Sequence, residues 1–167
     1  MSTRTLLTSL FQYKRWADEH LIAGLELLAD GAPPQAMRLF HHAHVVDRIF
    51  AANLQGLAHG LRETDPDDVP PAKRLYESVR QTDGWYLDFV ARMSPAQFEE
   101  PLEFRFTDGT PGRMTREEML AHVVAHAGYH RGEVGQILTV LTGSSPRDTF
   151  TGFLHEAEPA RRVRQIV

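Results

Sequence analysis

Cysteine is absent from the 167-residue chain. Without thiols the protein cannot form disulfides, iron–sulfur clusters, cysteine nucleophiles or cysteine-ligated zinc sites. The chain also lacks any run of eighteen apolar residues, which argues against a membrane span. Its first twenty residues mix polar and apolar side chains, unlike the unbroken apolar core of a signal peptide. We therefore expect a cytoplasmic protein with no membrane association.

Positive charge is not in excess either. The chain has 18 Lys and Arg against 22 Asp and Glu, a formal net charge of −4. Nucleic-acid-binding domains carry a basic footprint, so we expect no nucleic-acid partner. The apolar and charged fractions, 42% and 24%, are those of ordinary soluble proteins and argue against disorder. The length suits one domain, which we expect to span residues 1–167.

Apolar residues recur at three- and four-residue steps in four long segments, the spacing of amphipathic helices. Gly31 and the prolines after it end the first segment, and Gly143 ends the last. Ser94-Pro95 predicts a short helical turn. The four long helices are predicted over residues 3–28, 35–59, 73–93 and 115–141, with a weak final helix over 149–158.

One segment has a different period. Leu102, Phe104 and Phe106 alternate with charged residues, and Asp108-Gly109 is a hairpin turn signal. The sequence therefore predicts an all-α fold, an up-and-down four-helix bundle, with a small β-hairpin before the fourth long helix.

Histidine is the most informative residue of the sequence, because six of the nine fall into two short clusters. One cluster lies on the second predicted helix and the other on the fourth. The nine are His20, His41, His42, His44, His59, His122, His126, His130 and His155.

On the fourth helix the histidines are four residues apart and share one face. His126 and His130 fall within about 20° of Met119, near the centre of the apolar stripe, whereas His122 lies about 60° away at its edge. A buried polar group without a partner costs about 1–3 kcal/mol. A metal ion would supply that partner.

The second helix offers one comparable residue. His42 lies about 60° from Leu39, at the edge of the core-facing stripe. His41 points nearly opposite to Leu39, and His44 lies about 140° from Leu39. Both are therefore predicted to face solvent. Bundle metal sites are built from side chains on facing helices, which makes His42 the candidate third ligand.

Other interpretations stay open. A single histidine on an apolar face is usually a hydrogen-bonded core residue. A His-x-x-x-His pair without the glutamate of a metalloprotease motif is only moderately specific for metal. Glu133 could be a fourth ligand, a general base or an acceptor for an imidazole N–H. Asp47 fits a similar supporting role or a salt bridge between helices. Both acids are candidate catalytic residues.

The back of the fourth helix carries small residues. Three are glycines, each costing about 1 kcal/mol relative to Ala inside a helix, which suggests close approach of another backbone. We expect this face to pack against the last helix or against a second subunit; the alternative is that small residues are simply tolerated on a solvent-exposed face. The small residues are Ala121, Ala125, Gly128, Gly132 and Gly135.

Three segments together resemble the DinB family of small four-helix-bundle metalloproteins. They are FQYKRWADEHL near the start, HHAHVVDRIF on the second helix and HVVAHAGYHRGEV on the fourth. Asp18 replaces the usual Asn of the first motif, and Glu133 the usual Gln of the third. The resemblance implies metal ligands at His42, His126 and His130, and the second motif's acid at Asp47.

The resemblance also implies a class of function. The family is known mainly for divalent-metal-binding proteins of bacterial stress or damage responses, commonly dimeric. Some members are thiol transferases, isomerases or hydrolases. We therefore expect a homodimer whose three-histidine open site binds Zn or Ni, with Fe, Mn or Cu as other candidates. The expected activity is metal-dependent hydrolysis or low-molecular-weight-thiol transfer; the alternative is a non-catalytic, metal-stabilised protein acting through protein contacts.

Overall fold

A computed structural model of the chain describes residues 2–28, 31–61, 63–64, 68–144 and 146–161. This part is mostly helical, with one two-stranded antiparallel hairpin. The elements are α1 (Thr3–Glu26), α2 (Pro34–Leu54), α3 (Ala72–Arg92), α4 (Pro95–Glu99), β1 (Pro101–Arg105), β2 (Pro111–Thr115), α5 (Arg116–Thr142), α6 (Phe150–Ala157) and a final 3-10 turn, Pro159–Arg161.

The predicted helices are present, and α2 shows the largest error in their bounds. It ends at Leu54, five residues before the predicted end. Gly56 adopts a positive φ of 67°, a backbone conformation that ends the helix and suits glycine. Leu57, an apolar residue inside the range predicted for this helix, is 59% exposed.

The hairpin leads directly into α5. Leu102 on β1 pairs with Met114 on β2, and both side chains pack against the core. Thr115 then caps α5, since its hydroxyl accepts from the Glu118 N–H while the Glu118 carboxylate accepts from the Thr115 N–H. This reciprocal cap fixes where α5 begins, and therefore how its histidines face.

Four long helices surround the core. α1 packs against α3 and α5, and α2 packs against the same two helices. The up-and-down path of the chain through them stays a prediction. None of the helices in the described part is long and apolar enough to cross a membrane.

The core consists of two apolar clusters with a charged layer between them. Along α1, α3 and α5, the buried charged residues fall between the residues of one cluster and those of the other, and on α2 Asp47 directly follows Val46, a member of one cluster. At the centre of this layer the Lys14 ammonium lies 2.9 Å from Asp18, 2.8 Å from Asp47 and 2.6 Å from Asp83. Arg131 on α5 extends the layer through Asp18, at 3.1 Å.

The small-residue face of α5 is open at three of its five positions, whereas Gly128 and Gly135 are half-buried. Ala121, Ala125 and Gly132 are exposed, and a methyl group added at Gly132 would meet nothing within 4 Å among the described residues. Helix α6 packs on α1 instead. The structure therefore does not show the last helix over these three residues, and a second subunit at this face stays a prediction.

Candidate metal centre

Three histidines from two facing helices converge at the α2–α5 contact. His42 comes from α2, and His126 and His130 come one turn apart from α5. One nitrogen from each ring lies within 4.8 Å of the others, and all three side chains are half-buried. The structure thus brings together the three residues that the sequence nominated. Helical spacing explains the pair on α5, and the packing of α2 on α5 supplies the third.

Hydrogen bonds fix which nitrogen each of two rings presents. The Nδ1 atom of His42 lies 2.9 Å from the carbonyl oxygen of Thr64, and Nδ1 of His130 lies 2.7 Å from Oε2 of Glu133. A carbonyl and an ionised carboxylate only accept, so both Nδ1 atoms carry the proton. The lone pair of each ring is then on Nε2, which is the nitrogen that can bind a cation.

The third ring, that of His126, is also placed to bind a cation. Nε2 of His126 lies 3.2 Å from Nε2 of His130. Two imidazoles on a tetrahedral ion at 2.0–2.1 Å would hold these atoms about 3.3–3.4 Å apart. Nδ1 of His126 is buried without a partner among the described residues. The spacing and the donor set therefore suit a divalent metal ion.

The protonation state of His126 also suits a metal. Burial, followed by the neighbouring imidazoles, lowers the pKa of His126 to about 4. The ring is therefore neutral at physiological pH, the form that coordinates metal ions.

His41 and His44 do not face solvent, so that prediction was wrong. Their exposed fractions are 8% and 4%, and Nε2 of His44 lies 2.7 Å from the Ser78 hydroxyl on α3. The helical wheel allowed α2 one buried face, whereas α2 packs against both α3 and α5. Burial, and then the nearby Lys14 cation, lower the pKa of His44 to about 3. His44 is therefore a neutral core residue.

Glu133 and Asp47, the two candidate catalytic acids, occupy different environments. Glu133 is partly exposed and bonds to His130. Asp47 is 3% exposed and pairs with Lys14 on α1, the salt bridge between helices that was one of its two predicted roles. Burial raises the pKa of Asp47 to about 6, although Lys14 opposes the shift. Glu133 is thus placed to orient a candidate ligand, and Asp47 to join helices.

The sequence reasoning allowed a salt bridge between helices for Asp47 but missed the rest of the charged layer. Burial alone would lower the pKa of Lys14, but three carboxylates raise it well above its usual value. Burial raises the pKa of Asp83 to about 7 despite Lys14. Lys14 and Asp18 stand four residues apart on α1, spacing that also suits a surface ion pair. Only the position of the neighbouring helices shows that this pair is buried and not at the surface.

His122 lies on α5 beside the triad formed by His42, His126 and His130. It shares a face of the helix with His126 and His130. Its ring centre is 5.4 Å from that of His126 and 4.6 Å from that of Phe50. The ring of Phe50 in turn lies near the ring of Phe104 in the hairpin, with ring centres 6.1 Å apart. An aromatic wall therefore extends from the histidine site toward β1.

The comparison with known families agrees with this geometry. The model of the DinB superfamily matches residues 16–134, which include His42, His126 and His130. No curated protein matches the chain. The match covers well over half of the sequence, so the chain belongs to the DinB superfamily.

Proposed function

We propose that this protein binds one divalent metal ion through His42, His126 and His130. The observation that carries the proposal is the convergence of the three rings, with Nδ1 of His42 and His130 already engaged by Thr64 and Glu133. Membership of the DinB superfamily, whose members often bind metals, supports it.

The donor set favours a site that can accept a further ligand. Three neutral imidazoles leave the charge of the ion undiminished and fill only three positions. Such an ion can acidify a water molecule or a thiol. Zn and Ni are the first candidates, with Fe, Mn and Cu also compatible with imidazole ligands.

The activity we propose is metal-dependent hydrolysis or low-molecular-weight-thiol transfer, in the cytoplasm. Glu133 holds His130 in the orientation and tautomer that binding requires. Thr64 does the same for His42 through its carbonyl oxygen. The three rings are only half-buried, so part of the site can be reached from outside the protein.

A substrate screen tests this activity. Protein loaded with zinc or nickel is assayed with ester, amide and thiol-transfer substrates, with His126→Ala as the control. Turnover that disappears in the variant supports the proposal that the protein is a metal-dependent enzyme. Turnover that is unchanged in the variant contradicts a role for the metal.

The second candidate is a non-catalytic, metal-stabilised protein of a stress or damage response that acts through protein contacts. The observation that favours it is the position of the triad across α2 and α5, where an ion would tie the two helices together. A metal-loaded protein that is strongly stabilised, yet inactive in the full screen, supports this candidate.

We also propose that the protein is a homodimer that uses the open face of α5. Ala121, Ala125 and Gly132 on this face are exposed, and the larger Tyr129 and Val140, about 60–80° around the helix from Gly132, are exposed beside it. The face allows close approach of a second helix and exposes apolar groups that would gain from burial. Analytical ultracentrifugation at micromolar concentration should give about twice the chain mass of 18.9 kDa. A species at the mass of one chain would contradict the proposal.

A further inference from the structure

His122 has a fixed ring. It contacts Phe50 of α2, with ring centres 4.6 Å apart, and His126, one turn further along α5, with ring centres 5.4 Å apart. Phe50 is itself only 7% exposed and belongs to the core. The His122 ring is therefore held between two helices although its side chain reaches the surface.

Within the residues that the structure describes, no hydrogen bond or ion pair reaches either nitrogen of His122. Histidines elsewhere are engaged: His20 and His155 bond to the backbone carbonyl four residues earlier, and His44 bonds to Ser78. A ring that is ordered by packing but has no polar partner is already oriented for a ligand.

The position of His122 makes it a neighbour of the triad and not a member of it. The set of rings that can share one ion contains His42, His126 and His130. His122 lies one turn beyond His126, on the side away from His130. An ion bound at about 2.0–2.1 Å by the triad cannot also be reached by a ring so far along the helix. The ring centres of His122 and His126 are 5.4 Å apart, a separation that a small molecule attached to the ion can span.

We propose that His122 is a positioning residue that donates a hydrogen bond from its ring N–H to an anion occupying the open side of the histidine site. This inference rests on the proposed function. The three neutral ligands leave the site positively charged, so an anion is the favoured occupant. A donor beside that anion makes a charge-assisted hydrogen bond, stronger than a neutral one. The inferred substrate class is therefore anionic, for example a carboxylate or a thiolate.

Azide binding to the cobalt(II)-loaded full chain tests the inference. The visible absorption of cobalt reports both metal uptake and azide affinity, so no enzymatic activity is needed. His122→Phe keeps a ring against Phe50 and His126 but removes both nitrogens. His122→Gln restores an N–H at similar reach. His20→Phe is the matched control, since His20 is also an exposed histidine in ring contact with an aromatic residue, Trp16.

We expect His122→Phe to weaken azide binding at least about tenfold, the lower limit for losing one hydrogen bond to a charged group. Cobalt affinity should stay within twofold of wild type, and His122→Gln should recover most of the azide affinity. The His20→Phe control should match wild type.

Three other results would overturn the inference. Unchanged azide affinity in His122→Phe shows that the ring only packs, and it leaves the proposed metal site intact. Loss of cobalt from His122→Phe and His122→Gln, with circular dichroism unchanged, makes His122 a ligand and not a positioning residue. A wild-type protein that takes up no cobalt removes the proposed function and this inference with it.

Discussion

Glu133 and His130 stand three residues apart on α5, and Oε2 of Glu133 lies 2.7 Å from Nδ1 of His130. The carboxylate holds the proton on Nδ1 and directs Nε2 toward the other two rings. Partners of this kind also raise the basicity of the coordinating nitrogen.

Removing this partner should weaken metal binding. We expect Glu133→Ala to lower metal affinity about 10- to 100-fold, the usual range for loss of a carboxylate behind a ligand. Glu133→Gln keeps an acceptor oxygen and should lose less. Competition with a chromophoric chelator measures both. An affinity of Glu133→Ala equal to that of wild type would show that the contact does not support the site.

Chelation should lower the melting temperature, because the ion joins α2 to α5. With free metal at a hundred times its Kd, the ion contributes about 2.7 kcal/mol. For a chain of this length that corresponds to about 5–10 °C. Scanning calorimetry with and without chelator measures the shift, and His42→Ala should show none. A shift of equal size in His42→Ala would place the stabilising metal elsewhere.

Acidification should release the metal. Protons compete with the ion for each imidazole, beginning near pH 6.5 for an ordinary histidine. The lowered pKa of His126, about 4, keeps that ring available further into the acid range. We expect affinity to fall steadily below pH 6.5 and binding to be lost by about pH 4. Equilibrium dialysis at several pH values gives the profile, and affinity that is flat from pH 7 to 4 would exclude histidine ligands.

The charged layer should be costly to break. Lys14→Met leaves three buried carboxylates without their shared cation, so we expect a loss of about 3–5 kcal/mol in the free energy of unfolding. The control is Arg80→Gln, which breaks an exposed pair with Glu19 and should cost less than about 1 kcal/mol. Urea denaturation of metal-free protein measures both. Equal losses in the two variants would show that burial adds nothing to the Lys14 pairs.

The same layer should make stability depend on pH. Burial raises the pKa of Asp83 from its unfolded value to about 7, so its stabilising contribution is fully present below pH 4 and is lost as pH rises through 7. From pH 6 to pH 8, the free energy of unfolding of wild type should fall relative to Asp83→Asn by about 1 kcal/mol. The buried neutral histidines act with the opposite sign, but they are present in both proteins and cancel in the difference. A difference that does not change between pH 6 and 8 would contradict the raised pKa.

Local signals predicted most of the secondary structure. The reciprocal cap at Thr115 and Glu118 and the left-handed Gly143 define α5 in sequence and structure alike. The error at α2 arose because the apolar period continues through Leu57 although Gly56 ends the helix. Periodicity records which face could be buried, not where the backbone turns.

The candidate site was predictable in part. The angular argument selected His42 among three neighbouring histidines, and the structure places that ring with His126 and His130. The same argument failed for His41 and His44, because a helix that packs against two others has more than one buried face. A single helical wheel contains no information about the second neighbour.

Metal content after dialysis tests the central claim most directly. Untagged wild-type protein and single Ala variants of His42, His126, His130, His41 and His44 are loaded with zinc, dialysed at neutral pH and analysed by elemental mass spectrometry. Wild type should retain one equivalent, and the His42, His126 and His130 variants should each retain little. The His41 and His44 variants lose core packing and should be less stable, but they should keep the metal. A full equivalent of zinc retained by His42→Ala, or zinc lost from His44→Ala while that protein stays folded, would contradict the assignment.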